Sequence, residues 1–190
     1  MITFHEQTFA EAYKFLLDMT VNCPEYVTSP RGMLCNEHLD VVLRIDNPLS
    51  CLYKNEFRSS QYEYIASELL WYFSGSNLTK DIAPHAPFWK QIENLDGTVN
   101  SSYGTRLFVD KNEHGFTEWS WALQSLINDH DTRQAIMRIN KPEHSYASNK
   151  DFPCTLSITF HIRKNRLHMS VHMRSNDIKI GRASCRGKSV

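Results

Sequence analysis

Residues 156–173 contain two runs in which apolar and polar side chains alternate, and these runs restrict the possible folds more than any other part of the chain. Alternation with a period of two predicts β-strands. Lys164-Asn165 between the runs suits a two-residue turn, so we predict an antiparallel hairpin. The apolar side chains then share one face of the hairpin: Leu156, Ile158, Phe160, Ile162, Leu167, Met169, Val171 and Met173.

The turn also determines which residues meet at the open end of the hairpin. Counting back from it puts Leu156 opposite Met173 and Cys154 opposite Ser175, with Arg174 one residue away. A nearby cation activates a thiol by favouring the thiolate. We therefore interpret Cys154 as a candidate nucleophile beside an anion site, and the alternative is a buried structural cysteine.

Other segments carry helical or extended patterns. Helices are predicted where apolar residues recur at helical spacing, at 9–21, 60–73 and 116–128, with Thr8 as the N-cap of the first. Residues 32–46 and 134–139 are predicted to be extended. Helices that alternate irregularly with antiparallel strands predict an α+β domain, and 190 residues are enough for one domain with a core.

Composition excludes several classes of protein. Lys+Arg and Asp+Glu both number 21, so no overall charge attracts the chain to a nucleic-acid polymer or an anionic membrane. The N-terminus lacks the apolar core of a signal peptide, and no apolar run approaches the ~20 residues of a membrane span. The five cysteines include no Cys-x-x-Cys pair and the histidines lack metal-ligand spacing, so we expect a cytoplasmic protein without a metal site.

Several further side chains could serve a site. Glu68 lies within an apolar helical stretch, where desolvation would suit a carboxylate to proton transfer; it could equally lie on the helix surface. Arg31 and Arg133 could bind phosphate, or could be solvated or paired. Trp89 and Tyr103 could stack on a planar ring, or could pack in the core.

Five segments, taken in order, resemble the thymidylate synthase and deoxycytidylate hydroxymethylase family. Their order and spacing fit that family from about residue 25 to Gly181. The segments are Glu68-Leu69-Leu70-Trp71-Tyr72; Phe88-Trp89 followed by Asp96-Gly97 and Asn100-Ser101-Ser102-Tyr103-Gly104; Asp131-Thr132-Arg133; Pro153-Cys154; and Arg174-Ser175-Asn176-Asp177.

The resemblance implies a thymidylate synthase-like α+β fold over residues 1–181, in which a mixed or antiparallel sheet packs with helices. It also implies covalent one-carbon transfer to C5 of dCMP or dUMP, with 5,10-methylenetetrahydrofolate as the carbon donor. Cys154 matches the nucleophile that adds to C6. Glu68 matches the carboxylate that orders water and moves protons.

The resemblance further assigns the phosphate of the nucleotide to arginines. Arg31, Arg174 and Ser175 match phosphate-binding positions, and Arg174 also lies near the thiolate. Arg133 matches an arginine that the partner subunit lends, so a homodimer is implied. An electrically neutral chain must gather such cations locally, here across a dimer interface.

Three more positions match residues around the base and the cofactor. Trp89 and Tyr103 match active-site aromatics near the cofactor and the region of proton transfer. Asp177 matches a carboxylate that contacts folate. With the phosphate positions, these residues complete the predicted site.

Departures from the pattern bear on which branch of the family the chain resembles. Thr155 stands where synthases commonly have His. Gln134 stands where both branches usually have a second arginine, so it favours neither. Thr155 and the run from Asn100 to Gly104 look more like phage-type hydroxymethylases, in which water captures the exocyclic methylene. Hydroxymethylation is therefore the favoured reaction, in a host cytoplasm if the protein is phage-encoded. Reductive methylation of dUMP to dTMP remains the alternative.

The basic segment 182–190 matches nothing in the family. We expect a truncated product, such as an exon read into an intron or a frameshift, with weak or no activity of the isolated chain. An inactive nucleotide-binding relic, or a dimerisation partner of a complete enzyme, is the alternative from a different functional class.

Overall fold

The structure is a computed structural model that describes residues 1–51 and 62–178, with only the backbone of Arg31. The described chain separates into two compact units, the first formed by residues 1–51 with Asp177 and Ile178, the second by Tyr62–Asn176. Both contain helices and strands, as an α+β chain should. No helix in these ranges has the length and apolar character to cross a bilayer. The boundary of one domain over residues 1–181 stays a prediction.

The first unit is built around one helix and two small sheets. The helix begins as predicted with Thr8 as its N-cap, in a capping box with Glu11. The predicted extended segment 32–46 forms two strands rather than one, with Asp40 at a positive φ of 52° between them. The elements are β1 (Ile2–Glu6) parallel to β4 (Val41–Ile45), β2 (Tyr26–Thr28) antiparallel to β3 (Cys35–Glu37), and α1 (Phe9–Asn22).

The second unit carries a three-stranded antiparallel sheet in the order β5-β6-β7. Its strands are β5 (Ile136–Arg138), β6 (Thr155–Arg163) and β7 (Arg166–Met173). Its helices are α2 (Tyr62–Ser74), α3 (Thr79–Ile82), α4 (Trp89–Ile92) and α5 (Glu118–Asn128), with a π-helical turn at Thr105–Val109. Residues 60 and 61 of the predicted second helix lie outside the described ranges. The third begins at Glu118 because Thr117 caps it, its hydroxyl accepting from the Ser120 N–H.

The predicted hairpin is confirmed over most of its length. Lys164 and Asn165 adopt φ values of 50° and 56°, the two positive angles of a type I′ turn. The pairs Ile162–Leu167, Phe160–Met169 and Ile158–Val171 lie opposite each other as predicted. The alternation of apolar residues therefore determined the register through seven residues of β6.

At the open end of the hairpin the predicted register is wrong by one residue. Met173 lies opposite Thr155, not Leu156, because a bulge interrupts the ladder between Thr155 and Ser157. The Leu156 carbonyl instead accepts from the N–H groups of Ile139 and Asn140, which follow β5. Beyond the bulge the Arg174 N–H donates to the Cys154 carbonyl at 2.9 Å, so Cys154 lies opposite Arg174 and not opposite Ser175.

The core of the second unit lies between α5 and one face of the sheet. Ala122 of α5 and Ala135 and Met137 around β5 are buried together, and the β6 residues Ile158 and Phe160 pack against them. The neighbouring apolar side chains of β7 are not covered in the same way: Leu167, Met169 and Val171 are 61%, 59% and 40% exposed.

Candidate active site

Arg174 is held against the segment that carries Cys154. Its Nε donates to the Pro153 carbonyl at 3.0 Å and one terminal nitrogen donates to the Phe152 carbonyl at 2.7 Å. The same nitrogen lies 3.8 Å from the Cys154 Sγ, and the guanidinium lies 5.0 Å from the centre of the Phe152 ring. Cys154 itself is half-buried. These contacts keep a cation beside the sulfur, the arrangement that in general makes a cysteine more nucleophilic.

The loop that carries Tyr103 is fastened to the same segment at two points. The Tyr103 hydroxyl accepts from the Thr155 N–H at 3.3 Å, directly after Cys154. A carboxylate oxygen of Asp151 accepts from the Ser101 N–H at 2.7 Å. Asp151 is buried, and this burial raises the pKa of its carboxyl above the ordinary value. The two bonds place the Tyr103 phenol next to the candidate nucleophile.

Gly104 allows this loop to lie against the end of α2. A Cβ at Gly104 would lie 2.0 Å from the carbonyl oxygen of Tyr72, far inside van der Waals contact. The φ of Gly104 is an ordinary −60°, so the glycine is needed for the close approach rather than for its backbone conformation. Tyr72 and Tyr103 thereby come together, with ring centres 5.6 Å apart.

Glu68 occupies the middle of α2 between two tyrosines. The Tyr72 hydroxyl donates to a Glu68 carboxylate oxygen at 2.8 Å. The Tyr64 phenol lies one turn before Glu68 on α2 and accepts from the Trp89 indole N–H at 3.0 Å. Burial first, and then the charge of Glu68, raises the pKa of both phenols well above the ordinary value. Sequence reasoning missed both tyrosines, although their spacing of four residues from Glu68 on a helix was a usable signal.

Trp89 is buried in this arrangement, with 6% of its surface exposed. Its ring contacts Trp71 edge-on, with ring centres 5.0 Å apart, and its N–H is used by Tyr64. The contacts described for Trp89 therefore support the Glu68 helix. Its predicted contact with the cofactor stays a prediction.

Arg133 lies far from Cys154 along the sheet. Ile136 pairs with Thr159 in antiparallel β5 and β6, so Arg133 falls beyond the end of the strand pair remote from Cys154. At ~3.3 Å per residue the separation is roughly 20 Å. Arg133 is exposed and lines an open groove of about 630 Å³, together with Asn112, His114, Phe116, Trp121, Gln134, Ile136 and Arg138.

The remaining predicted residues are less closely described. Arg31 belongs to a 3-10 turn, Pro30–Gly32, and its side chain lies outside the described part of the structure. Asp177 is exposed and belongs to the first unit. Ser175 is exposed and directly follows Arg174. The predicted roles of these three residues stay predictions.

Comparisons with known proteins agree on one family. The family model described as thymidylate synthase matches residues 41–184. The deoxycytidylate 5-hydroxymethyltransferase of Enterobacteria phage T4 is 29% identical over 176 residues, which cover 90% of this chain and 68% of the phage protein. The deoxyuridylate hydroxymethyltransferase of Bacillus phage SP01 is 26% identical over 190 residues, 95% of this chain and 49% of its own length.

A solved structure shows the fold. Thermostable thymidylate synthase A from Bacillus subtilis superimposes with a TM-score of 0.60 at 17% identity, covering 92% of this chain and 67% of the synthase. This similarity confirms the predicted α+β, thymidylate synthase-like fold.

Proposed function

The chain belongs to the thymidylate synthase family, and we propose that it transfers a one-carbon group from 5,10-methylenetetrahydrofolate to C5 of a pyrimidine deoxynucleoside monophosphate. Its phage relatives are named as hydroxymethyltransferases of deoxycytidylate and deoxyuridylate, and the chain is accordingly a one-carbon transferase. The observation that carries the proposal is the contact of the Arg174 guanidinium with the Cys154 sulfur at 3.8 Å.

The chemistry begins with the thiolate of Cys154. Pyrimidine C6 is a poor electrophile, so a thiolate rather than a thiol must add to it. A lone pair of the thiolate forms the new S–C6 bond, and the electron pair of the C5–C6 double bond moves to C5, which makes C5 a nucleophile for the methylene carbon that the folate supplies. Glu68 moves protons around the pyrimidine, and loss of the C5 proton expels tetrahydrofolate from the transferred carbon, which becomes an exocyclic methylene. Addition of a nucleophile to this methylene re-forms the C5–C6 double bond and releases the thiolate.

Hydroxymethylation is the favoured outcome. Thr155 follows the nucleophile in place of histidine, and the deoxycytidylate enzyme of phage T4 and the deoxyuridylate enzyme of phage SP01 match over nine-tenths or more of this chain. In this reaction water adds to the exocyclic methylene and tetrahydrofolate leaves unchanged in oxidation state. In the alternative, a synthase reaction, hydride reduces the methylene and dihydrofolate is released.

The test is tritium release from dCMP or dUMP labelled at C5, with methylenetetrahydrofolate present. We expect release without the absorbance change of dihydrofolate formation, and a preference between the two nucleotides. Release accompanied by dihydrofolate would instead establish the synthase reaction. Nucleotide binding without any release would contradict turnover and favour the non-catalytic binding protein.

We further propose a homodimer in which Arg133 serves the phosphate site of the partner subunit. The separation of roughly 20 Å along the sheet puts Arg133 out of reach of the Cys154 of its own chain. Phosphate binding by a remote exposed arginine is possible if a second copy presents it. A cytoplasmic location is part of the proposal, supported by free cysteines at positions 23, 35, 51 and 154.

Mixing two inactive variants tests the shared site. Arg133→Ala and Cys154→Ala proteins should each release little tritium. After the subunits are exchanged, a mixed dimer contains one site with both the thiol and the partner's arginine, so random mixing should restore roughly a quarter of wild-type activity. Arg166→Ala, at an exposed hairpin position, is the matched control and should not need rescue. Absence of recovery in demonstrably mixed dimers would contradict the lending of Arg133.

A further inference from the structure

Tyr64, Glu68 and Tyr72 lie four residues apart on α2 and therefore on one face of the helix. Tyr72 donates to the Glu68 carboxylate at 2.8 Å from the C-terminal side. Tyr64 lies on the N-terminal side of Glu68, close enough for the carboxylate to raise the pKa of the phenol, and Trp89 fixes the Tyr64 hydroxyl by donating to it at 3.0 Å. We call Tyr64 and Tyr72 the phenol pair.

We propose that the phenol pair positions Glu68, keeping its carboxylate ionised and aimed in one direction so that it can accept a proton during catalysis. This inference rests on the proposed function, in which Glu68 moves protons around the pyrimidine. Neither tyrosine needs to touch the substrate. Each acts through Glu68.

The ionised form is favoured because Tyr72 donates to the carboxylate, and Tyr64, whose hydroxyl accepts from Trp89, is inferred to direct its own hydrogen toward it. A carboxylate that accepts hydrogen bonds is stabilised relative to the carboxylic acid, and bonds with one charged partner are among the stronger ones. Burial and the Glu68 charge raise the pKa of both phenols well above the ordinary value. The phenols therefore remain protonated, and remain donors, at neutral pH.

The phenol pair is also connected to the nucleophile. The Tyr72 ring lies against Tyr103, with ring centres 5.6 Å apart, and the Tyr103 hydroxyl accepts from the Thr155 N–H at 3.3 Å. Thr155 directly follows Cys154. The packed rings of Tyr72 and Tyr103 thus connect Glu68 to Cys154 and fix the distance between the carboxylate and the thiol.

A purely structural role would predict a different outcome. If the phenol pair only stabilised α2, removal of a hydroxyl would lower the thermal stability and leave the pH dependence of catalysis unchanged. A positioning role predicts a change in the ionisation of Glu68 itself. The experiment must therefore follow that ionisation.

Tyr72→Phe and Tyr64→Phe remove one donor each and keep the ring. We expect Tyr72→Phe to lower kcat about tenfold, the effect of losing one hydrogen bond to a charged group, with little change in the KM for the nucleotide. The acidic limb of the pH–rate profile should move to higher pH, because the carboxylate protonates more readily without its donor. Tyr62→Phe is the matched control, since Tyr62 is on the same helix and 44% exposed.

A second readout does not depend on turnover. The 190-residue chain labelled with carbon-13 at glutamate carboxyls, with Glu68→Gln used for assignment, reports the titration midpoint of Glu68 by NMR. The midpoint should move to higher pH in Tyr72→Phe and Tyr64→Phe and should stay in place in Tyr62→Phe. An unchanged midpoint in both variants would overturn the inference. A wild type that releases no tritium would count against the proposed function instead, and the NMR titration would still decide the role of the phenol pair.

Discussion

Tritium release from the C5 position is expected to fall by at least about a thousandfold when Cys154 is replaced by serine, the scale of loss found when a catalytic nucleophile is removed. Serine keeps the size and the hydrogen-bonding character of the side chain, but its hydroxyl does not ionise near neutral pH. An oxygen that stays protonated cannot add to a poor electrophile such as pyrimidine C6. Arg174, 3.8 Å from the sulfur, would have no thiolate to stabilise.

Cys23→Ser is the control for this substitution. Cys23 is a free, exposed cysteine at the end of α1, so its replacement should leave tritium release unchanged. Circular dichroism should show both variants folded, because serine introduces no steric conflict. A Cys154→Ser protein with activity within tenfold of the wild type would remove Cys154 from the proposed mechanism.

Gly104→Ala is expected to produce the largest loss of stability of any single methyl addition described here. The added Cβ would lie 2.0 Å from the carbonyl oxygen of Tyr72 and 2.5 Å from its carbonyl carbon. These atoms are backbone at the end of α2 and cannot rotate away as a side chain would. Overpacking of this kind costs about 1–3 kcal/mol where neighbours adjust, so about 3 kcal/mol or more is expected where they cannot.

Chemical denaturation with a matched glycine tests this expectation. Gly97→Ala adds the same methyl group in open space, with nothing within 4 Å, but at a φ of +79°. This variant should lose only ~1–2 kcal/mol of unfolding free energy, the cost of holding alanine in a left-handed backbone conformation. The difference between the losses of unfolding free energy in the two variants measures the energetic cost of placing a methyl group against the Tyr72 backbone. Equal losses at the two positions would show that the loop of Gly104 does not lie against α2.

Much of the hairpin could be predicted because its information is local. The alternation of side chains and the suitability of Lys164-Asn165 for a two-residue turn were sufficient for three cross-strand pairs. The bulge could not be predicted in the same way. It accompanies hydrogen bonds from Ile139 and Asn140 to the Leu156 carbonyl, which involve a third strand.

The candidate site shows the same division between local and distant information. The approach of Arg174 to Cys154 was predicted to within one residue, because the turn alone brings them together. The bond between Asp151 and Ser101 joins residues that are 50 positions apart, and no periodic pattern connects them. Tyr72 and Glu68 are four residues apart on one helix, so this contact was open to prediction from helical spacing.

The bulge at Leu156 changes which face of the sheet the side chains of Thr155 and Cys154 point to. In an uninterrupted strand Cys154 would point to the same side as Ile158 and Phe160, which pack against α5. The bulge shifts the alternation of side chains by one residue, so Thr155 takes the inward position opposite Met173 and is only 1% exposed. Cys154, which pairs with Arg174, then lies on the opposite face. One extra residue thus separates Thr155, which is buried in the fold, from Cys154, the proposed nucleophile. Hydrophobic patterning along β6 therefore constrains Thr155 without constraining Cys154.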